Sequence, residues 1–197
     1  LEQTADTEGA ENITVKDGDE ITIQKEGIYV LRGKAKDARG TVDAENAKVQ
    51  LLFDNLSITN KNKPAIFVNE ANKVFITLAD GSQNGLSVTG KFDKDEKPKR
   101  DAVIFSDDDL KLNGRGSLQI SSPAGHGIVG KDELTITAGV YEITATDNAI
   151  RARDSNAIAD GSFTVTAGKD GLHAENNDDE TLGSIYIAGG TFTVNAS

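Results

Sequence analysis

No cysteine, methionine or tryptophan occurs in the chain, and proline appears only three times. Without thiols there is no disulfide scaffold, no thiolate metal site and no cysteine nucleophile. Two histidines do not readily build a zinc site in the absence of cysteine. No apolar run approaches the ~20 residues that a membrane-spanning helix needs. Cations are outnumbered, with 21 Lys and Arg against 32 Asp and Glu, a net charge of −11. That balance argues against nucleic acid, whose phosphates call for clustered Lys and Arg. It favours divalent cations, which take carboxylate oxygens. Long Ala/Leu/Glu/Lys stretches with helical spacing are missing too, as are a P-loop, a calcium-binding EF-hand loop and a Ser-His-Asp arrangement.

What remains is rich in Val, Ile, Leu and Thr, with 20 Gly among 197 residues. This composition suits many short strands separated by tight turns. Internal repetition is the strongest signal. The half-motif Gly-x-aromatic/Leu-x-Ile/Val recurs at Gly116, Gly139, Gly161 and Gly190, with spacings of 23, 22 and 29. An early copy starts at Gly27, and Asn55 stands in for Gly in another. A strand precedes each glycine, and a third is centred on Ile66, Ile104, Ile128, Ile150 or Leu172. Strands this short are not stable as isolated hairpins. Stacked in parallel at roughly 4.8 Å, each pairs with the copies before and after it and fills a shared core.

The predicted fold is therefore all-β: a right-handed single-stranded parallel β-helix, a solenoid of about eight rungs with 22–24 residues each. A barrel or sandwich is the alternative, but it calls for hairpin turns rather than this period. Residues 1–11 are polar and read as a disordered segment; residues 12–197 read as one domain, ending straight after a core strand as a truncated rod would. The charged stretch 91–100 and the acidic stretch 175–180 break the period and are expected to leave the rod as loops.

Stacking turns sequence spacing into columns. Relative to the Ile66–Leu172 column, one outward column holds Phe67, Phe105, Val129, Arg151 and His173. The next outward column holds Asn69, Asp107, Lys131, Arg153 and Glu175. This face grades from aromatic to cationic, so Phe105, Lys131, Arg151, Arg153 and His173 are the candidate carbohydrate-binding residues. Exposed rings stack on sugars, and Arg forks onto a uronate carboxylate. A further column, Asp108, Asp132 and Asp154, brings like charges one strand apart. Their repulsion calls for a neutraliser such as Lys131, Arg153 or calcium, or for Asx hydrogen bonds that tie down turns. Asp147, Asn148 and Asp170 fall on adjacent levels, beside Asp154 and the Asn176, Asp178 and Asp179 stretch. These seven are the candidate Ca2+ ligands.

Several stretches resemble a known family: 49–60, 65–68, 109–118, 127–132, 147–154 and 170–176. Together they are similar to the bacterial extracellular carbohydrate-binding β-helix proteins that bind cellulose and pectic acid and are themselves similar to calcium-dependent pectate lyases. The resemblance covers most of the chain, from about Gly27 to Val194. It implies a parallel β-helix, bound calcium, and an extracellular or cell-surface location, often with a lipid anchor. Two positions depart from the lyase pattern: Lys169 and His173 stand where further Asp residues are usual. The expected function is thus binding of acidic plant polysaccharide (polygalacturonate or pectin) and of cellulose, assisted by calcium, by a monomer with no protein or nucleic-acid partner and no catalytic residues. The alternative is a weak calcium-dependent pectate lyase working by β-elimination, with Lys131, Arg151 or Arg153 as base. Hydrolysis by paired carboxylates is a distant third, because such pairs abound here and discriminate nothing.

Overall fold

A computed structural model describes residues 3–95 and 99–197. Leu1 and Glu2 of the polar N-terminal segment, and Glu96, Lys97 and Pro98 of the charged stretch, lie outside the described residues. The strands are β1 (Glu11–Thr14), β2 (Glu20–Ile23), β3 (Gly27–Lys36), β4 (Arg39–Asn60), β5 (Ile66–Leu78), β6 (Gln83–Val88), β7 (Ala102–Ser106), β8 (Leu110–Gly114), β9 (Ser117–Ser122), β10 (His126–Gly130), β11 (Glu133–Ile136), β12 (Val140–Ala145), β13 (Ile150–Ala152), β14 (Ser155–Ile158), β15 (Ser162–Ala167), β16 (Leu172–Ala174), β17 (Ser184–Ile187) and β18 (Thr191–Ala196).

All 18 strands join one sheet, and no helix occurs among the described residues. Pairing is parallel, and in the second half each strand pairs with the one three further along the chain. Thus β7, β10, β13 and β16 form one ladder, β8, β11, β14 and β17 a second, and β9, β12, β15 and β18 a third. The all-β expectation stands, but the right-handed single-stranded β-helix of about eight equal rungs is corrected to one large parallel sheet. The three-short-strand unit does not run through the N-terminal half, where β3, β4 and β5 are 10, 22 and 13 residues long. Register shifts between Val42 and Asp43 and between Ala44 and Lys48 let β4 change direction without leaving the sheet. The positive-φ positions there, Gly33, Asn46 and Asn55, fall inside the long strands and do not separate short ones.

The register is set by what each strand buries. β12 and β15 alternate exposed and buried residues without exception, as a strand with one wet face must. Ile66, Ile104, Ile128, Ile150 and Leu172 are direct partners across four pairings, and all but the half-buried Leu172 are fully buried. The Gly-x-aromatic motif has a steric cause. Tyr141, Phe163 and Phe192 stack ring on ring, with centroids 5.1 and 4.8 Å apart. Each ring folds back towards the glycine two residues earlier. A Cβ on Gly139 would sit 2.8 Å from the Tyr141 hydroxyl, and one on Gly161 would sit 2.9 Å from the Phe163 ring.

Asn156 breaks the apolar inward pattern most sharply, with both amide atoms unpaired among the described residues. Asn156 lies between Leu134 and Ile185 in the second ladder and is 0% exposed. Neither Oδ1 nor Nδ2 finds a hydrogen-bond partner among the described residues. A buried, unpaired amide costs on the order of 1–3 kcal/mol. Asn156→Leu is therefore expected to stabilise the fold by about 1–2 kcal/mol. Urea melts measure it, and a lower midpoint in the variant would contradict it.

Candidate functional site

A groove of about 550 Å³ crosses the ladder of β7, β10, β13 and β16. Each strand contributes a residue from within it and others from the turns at its ends: Phe105 from β7, His126 and then Lys131 around β10, Arg151 and then Arg153 around β13, His173 from β16. The segments before β7, β13 and β16 add Lys99 and Asp101, Asp147 and Asn148, and Lys169 and Asp170. Parallel pairing aligns Phe105 with Val129, Arg151 and His173 in one outward column. Arg153 donates its backbone N–H to the Gly130 carbonyl at 3.0 Å, which sets it beside Lys131 on the neighbouring strand.

At one end of the groove lies a polar chain that starts from the buried His126 and Asn148. His126 is 4% exposed, and its Nδ1 accepts the backbone N–H of Asn148 at 3.1 Å. The ring proton is thereby left on Nε2, 3.8 Å from Asp147 Oδ2. Asp147 Oδ1 lies 2.7 Å from the Lys169 ammonium in an ion pair. Asn148 Oδ1 accepts the backbone N–H of Asp170 at 3.2 Å, and the Asp170 carboxylate lies 2.8 Å from His173 Nδ1. Burial pushes the Asp147 carboxyl up, but contact with Lys169 and the charges of His126, Lys169 and Lys99 outweigh it and hold the group below its ordinary value. Burial pushes the His126 imidazole down, against the opposing pull of Asp101 and Asp147.

The structure sorts the sequence candidates. It gathers Phe105, Lys131, Arg151, Arg153, His173, Asp147, Asn148, Asp170 and Asp178 around the groove. Asp154, Asn176 and Asp179 are not part of its lining. Phe105 is no open stacking platform: it is 1% exposed, packed with Phe67, Ala102 and Val129, and Lys131 lies over its ring at 5.9 Å. Sequence spacing read its outward direction but not the side chains that cover it. Lys99, Asp101 and Lys169 belong to the groove and were not among the candidates. The position of Lys169 immediately before Asp170 was the available signal.

Three of the seven expected calcium ligands lie in ion pairs. Asp147 pairs with Lys169, Asp170 with His173, and Asp178 with Arg153. Asn176 turns its amide nitrogen, not its oxygen, to Asp154 at 2.7 Å, and Asp179 holds Thr181. Among the described residues no three His, Asp or Glu side chains come together as a metal site. The Asp108, Asp132 and Asp154 column does carry strain. Burial, followed by the charges of Asp154, Asp108 and Asp109, raises the Asp132 carboxyl, with Arg153 opposing. Asp108 and Asp154 also accept hydrogen bonds, from the Ala71 backbone at 2.7 Å and from Asn176.

The His126 shift has a defined sign. Its folded value lies below the ordinary 6.5, so on acidification the unfolded chain takes up the proton first. Stability is then lost as pH falls from about 7 towards 5, above the range where carboxylates titrate. His126→Asn retains an acceptor for the Asn148 amide and is expected to flatten this slope. Thermal melts across the interval test it; an unchanged slope would show that His126 is not the group responsible.

Residues 17–197 match the family profile described as carbohydrate-binding domain-containing protein. A protein of that description from Acetivibrio thermocellus is 33% identical over 129 residues, which is 64% of this chain and 45% of the relative. The chain thus spans less than half the length of that relative. A solved structure described as the polysaccharide lyase-like protein from C. thermocellum, a gadolinium derivative, superposes with a TM-score of 0.89 at 29% identity. The match covers 94% of this chain and 82% of the other. The kinship with carbohydrate binders is shown, whereas the finer likeness to calcium-dependent pectate lyases is not: this chain belongs to the family of carbohydrate-binding domain-containing proteins.

Proposed function

We propose that the groove binds an acidic polysaccharide, with polygalacturonate as the test ligand, by direct ion pairing to its carboxylates. One observation carries this reading. In a chain with a net charge of −11, five cations (Lys99, Lys131, Arg151, Arg153 and Lys169) line a single groove, and Lys131 and Arg151 have no ion pair there among the described residues. An unpaired guanidinium in a concave site suits a planar carboxylate, which it grips with two parallel hydrogen bonds. Levels spaced by roughly 4.8 Å would present cations to successive sugars along the chain direction. Family membership supports a saccharide ligand, and the cations support an acidic one. Cellulose has no carboxylate and does not exploit these groups. Such polymers do not enter cells, so this reading implies an extracellular or cell-surface task.

Binding in this way requires no calcium, because the expected ligands already face protein partners. Arg151→Ala is expected to weaken polygalacturonate binding by roughly 10- to 100-fold, the loss of about 1.5–3 kcal/mol in charged hydrogen bonds. Isothermal titration at low salt measures it, and the heats should be the same in EDTA and in calcium. No heat from the wild-type protein in either medium would remove the acidic ligand. Loss of heat in EDTA alone would restore calcium to the mechanism. A steady rise in near-ultraviolet absorbance from an unsaturated product would replace binding by elimination.

A further inference from the structure

Arg153 differs from Arg151 in already holding a carboxylate. Its guanidinium donates to Asp178 Oδ2 in a close ion pair at the edge of the groove. The loop that delivers Asp178 does not depend on that contact. Asn176 Oδ1 accepts the backbone N–H groups of Asp178 and Asp179 at 2.9 and 3.0 Å. The Asn176 amide is in turn anchored on Asp154, and Asp179 folds back onto Thr181. The backbone of residues 176–181 is therefore set by Asn176 and Asp179. The Asp178 side chain, 80% exposed, is left as an arm that reaches Arg153 alone among the described residues.

Resting on the acidic-ligand reading, we infer that Asp178 is an internal stand-in for a sugar carboxylate: it occupies Arg153 in the free protein and yields that seat to a uronate of the bound glycan. The chemistry of the two contacts is the same, a carboxylate on a guanidinium. An exposed pair of this kind is worth only about 0–1 kcal/mol, so a ligand displaces it easily. Displacement still sets a threshold. A single uronate gains from Arg151 and Lys131 without needing Arg153. A run of adjacent uronates gains from all three, because its second carboxylate is held at high local concentration once the first is bound. Asp178 thus moderates the advantage of contiguous uronate over an isolated acidic sugar.

The test compares Asp178→Asn with the wild type by titration with an oligogalacturonate and with monomeric galacturonate, in EDTA at low salt. Asp178→Asn is expected to bind the oligomer about two- to fivefold tighter, the range set by an exposed ion pair. Its melting temperature should not change, and the gain should vanish in an Arg153→Ala background. The oligomer-to-monomer preference should also widen in Asp178→Asn, because the monomer does not use Arg153. Asp179→Asn removes the same charge from the same loop while keeping an oxygen for Thr181, and it should give no gain. Equal or weaker oligomer binding by Asp178→Asn, beside a wild type that binds, overturns the inference and leaves the acidic-ligand reading standing. An equal gain in Asp179→Asn overturns it too, as a general charge effect. No binding by either protein overturns both.

Discussion

Parallel pairing between strands three apart in the chain is the constraint from which the site follows. In the second half of the molecule, residues separated by 22 positions, such as Ile128 and Ile150 or Val129 and Arg151, are direct partners. Whatever side chain occupies one level is held roughly 4.8 Å from its counterpart on the next. Inward this spacing is favourable, because branched aliphatics and stacked rings pack at that separation. Outward it is demanding, because charges repeated at each level repel unless the neighbouring column answers them.

The groove shows how that demand is met. Its five cations face five carboxylates: Asp101, Asp147, Asp170, Glu175 and Asp178. The pairing is incomplete in a directed way. Lys99, Lys169 and Arg153 each hold an acid, whereas the acids Asp170 and Glu175 turn to His173. Lys131 and Arg151 are left over in the middle. The buried His126 stiffens one wall through the Asn148 amide, and Asn176 stiffens the other through the loop backbone. A site whose walls are tied by neutral hydrogen bonds and whose centre holds unpaired cations is organised before its ligand arrives, which lowers the ordering cost of binding.

Outside the groove, the acidic column of Asp108, Asp132 and Asp154 illustrates the same spacing without a complete answer. Asp108 and Asp154 each gain a hydrogen bond that justifies their place, while Asp132 is left with a raised carboxyl. Asn156 is the inward equivalent, a polar side chain at a level where the ladder calls for an aliphatic one.

The repeat, the all-β class and the alignment of Ile66, Ile104, Ile128, Ile150 and Leu172 were legible in the amino-acid order, since alternation and a fixed period are local, one-dimensional properties. The same period brought Arg151, His173 and Lys131 to one outward face correctly. Tertiary structure alone decided the rest. It joined the N-terminal half into long strands where a regular coil was expected, because the corners at Gly33 and Asn46 are taken up as register shifts within continuous pairing. It buried Phe105 under Lys131, because exposure depends on what lies above a residue and not on which way it points. It also set Asp147, Asp170 and Asp178 beside Lys169, His173 and Arg153, because a carboxylate's partner is chosen by three-dimensional proximity among many charges, which spacing along one chain does not encode.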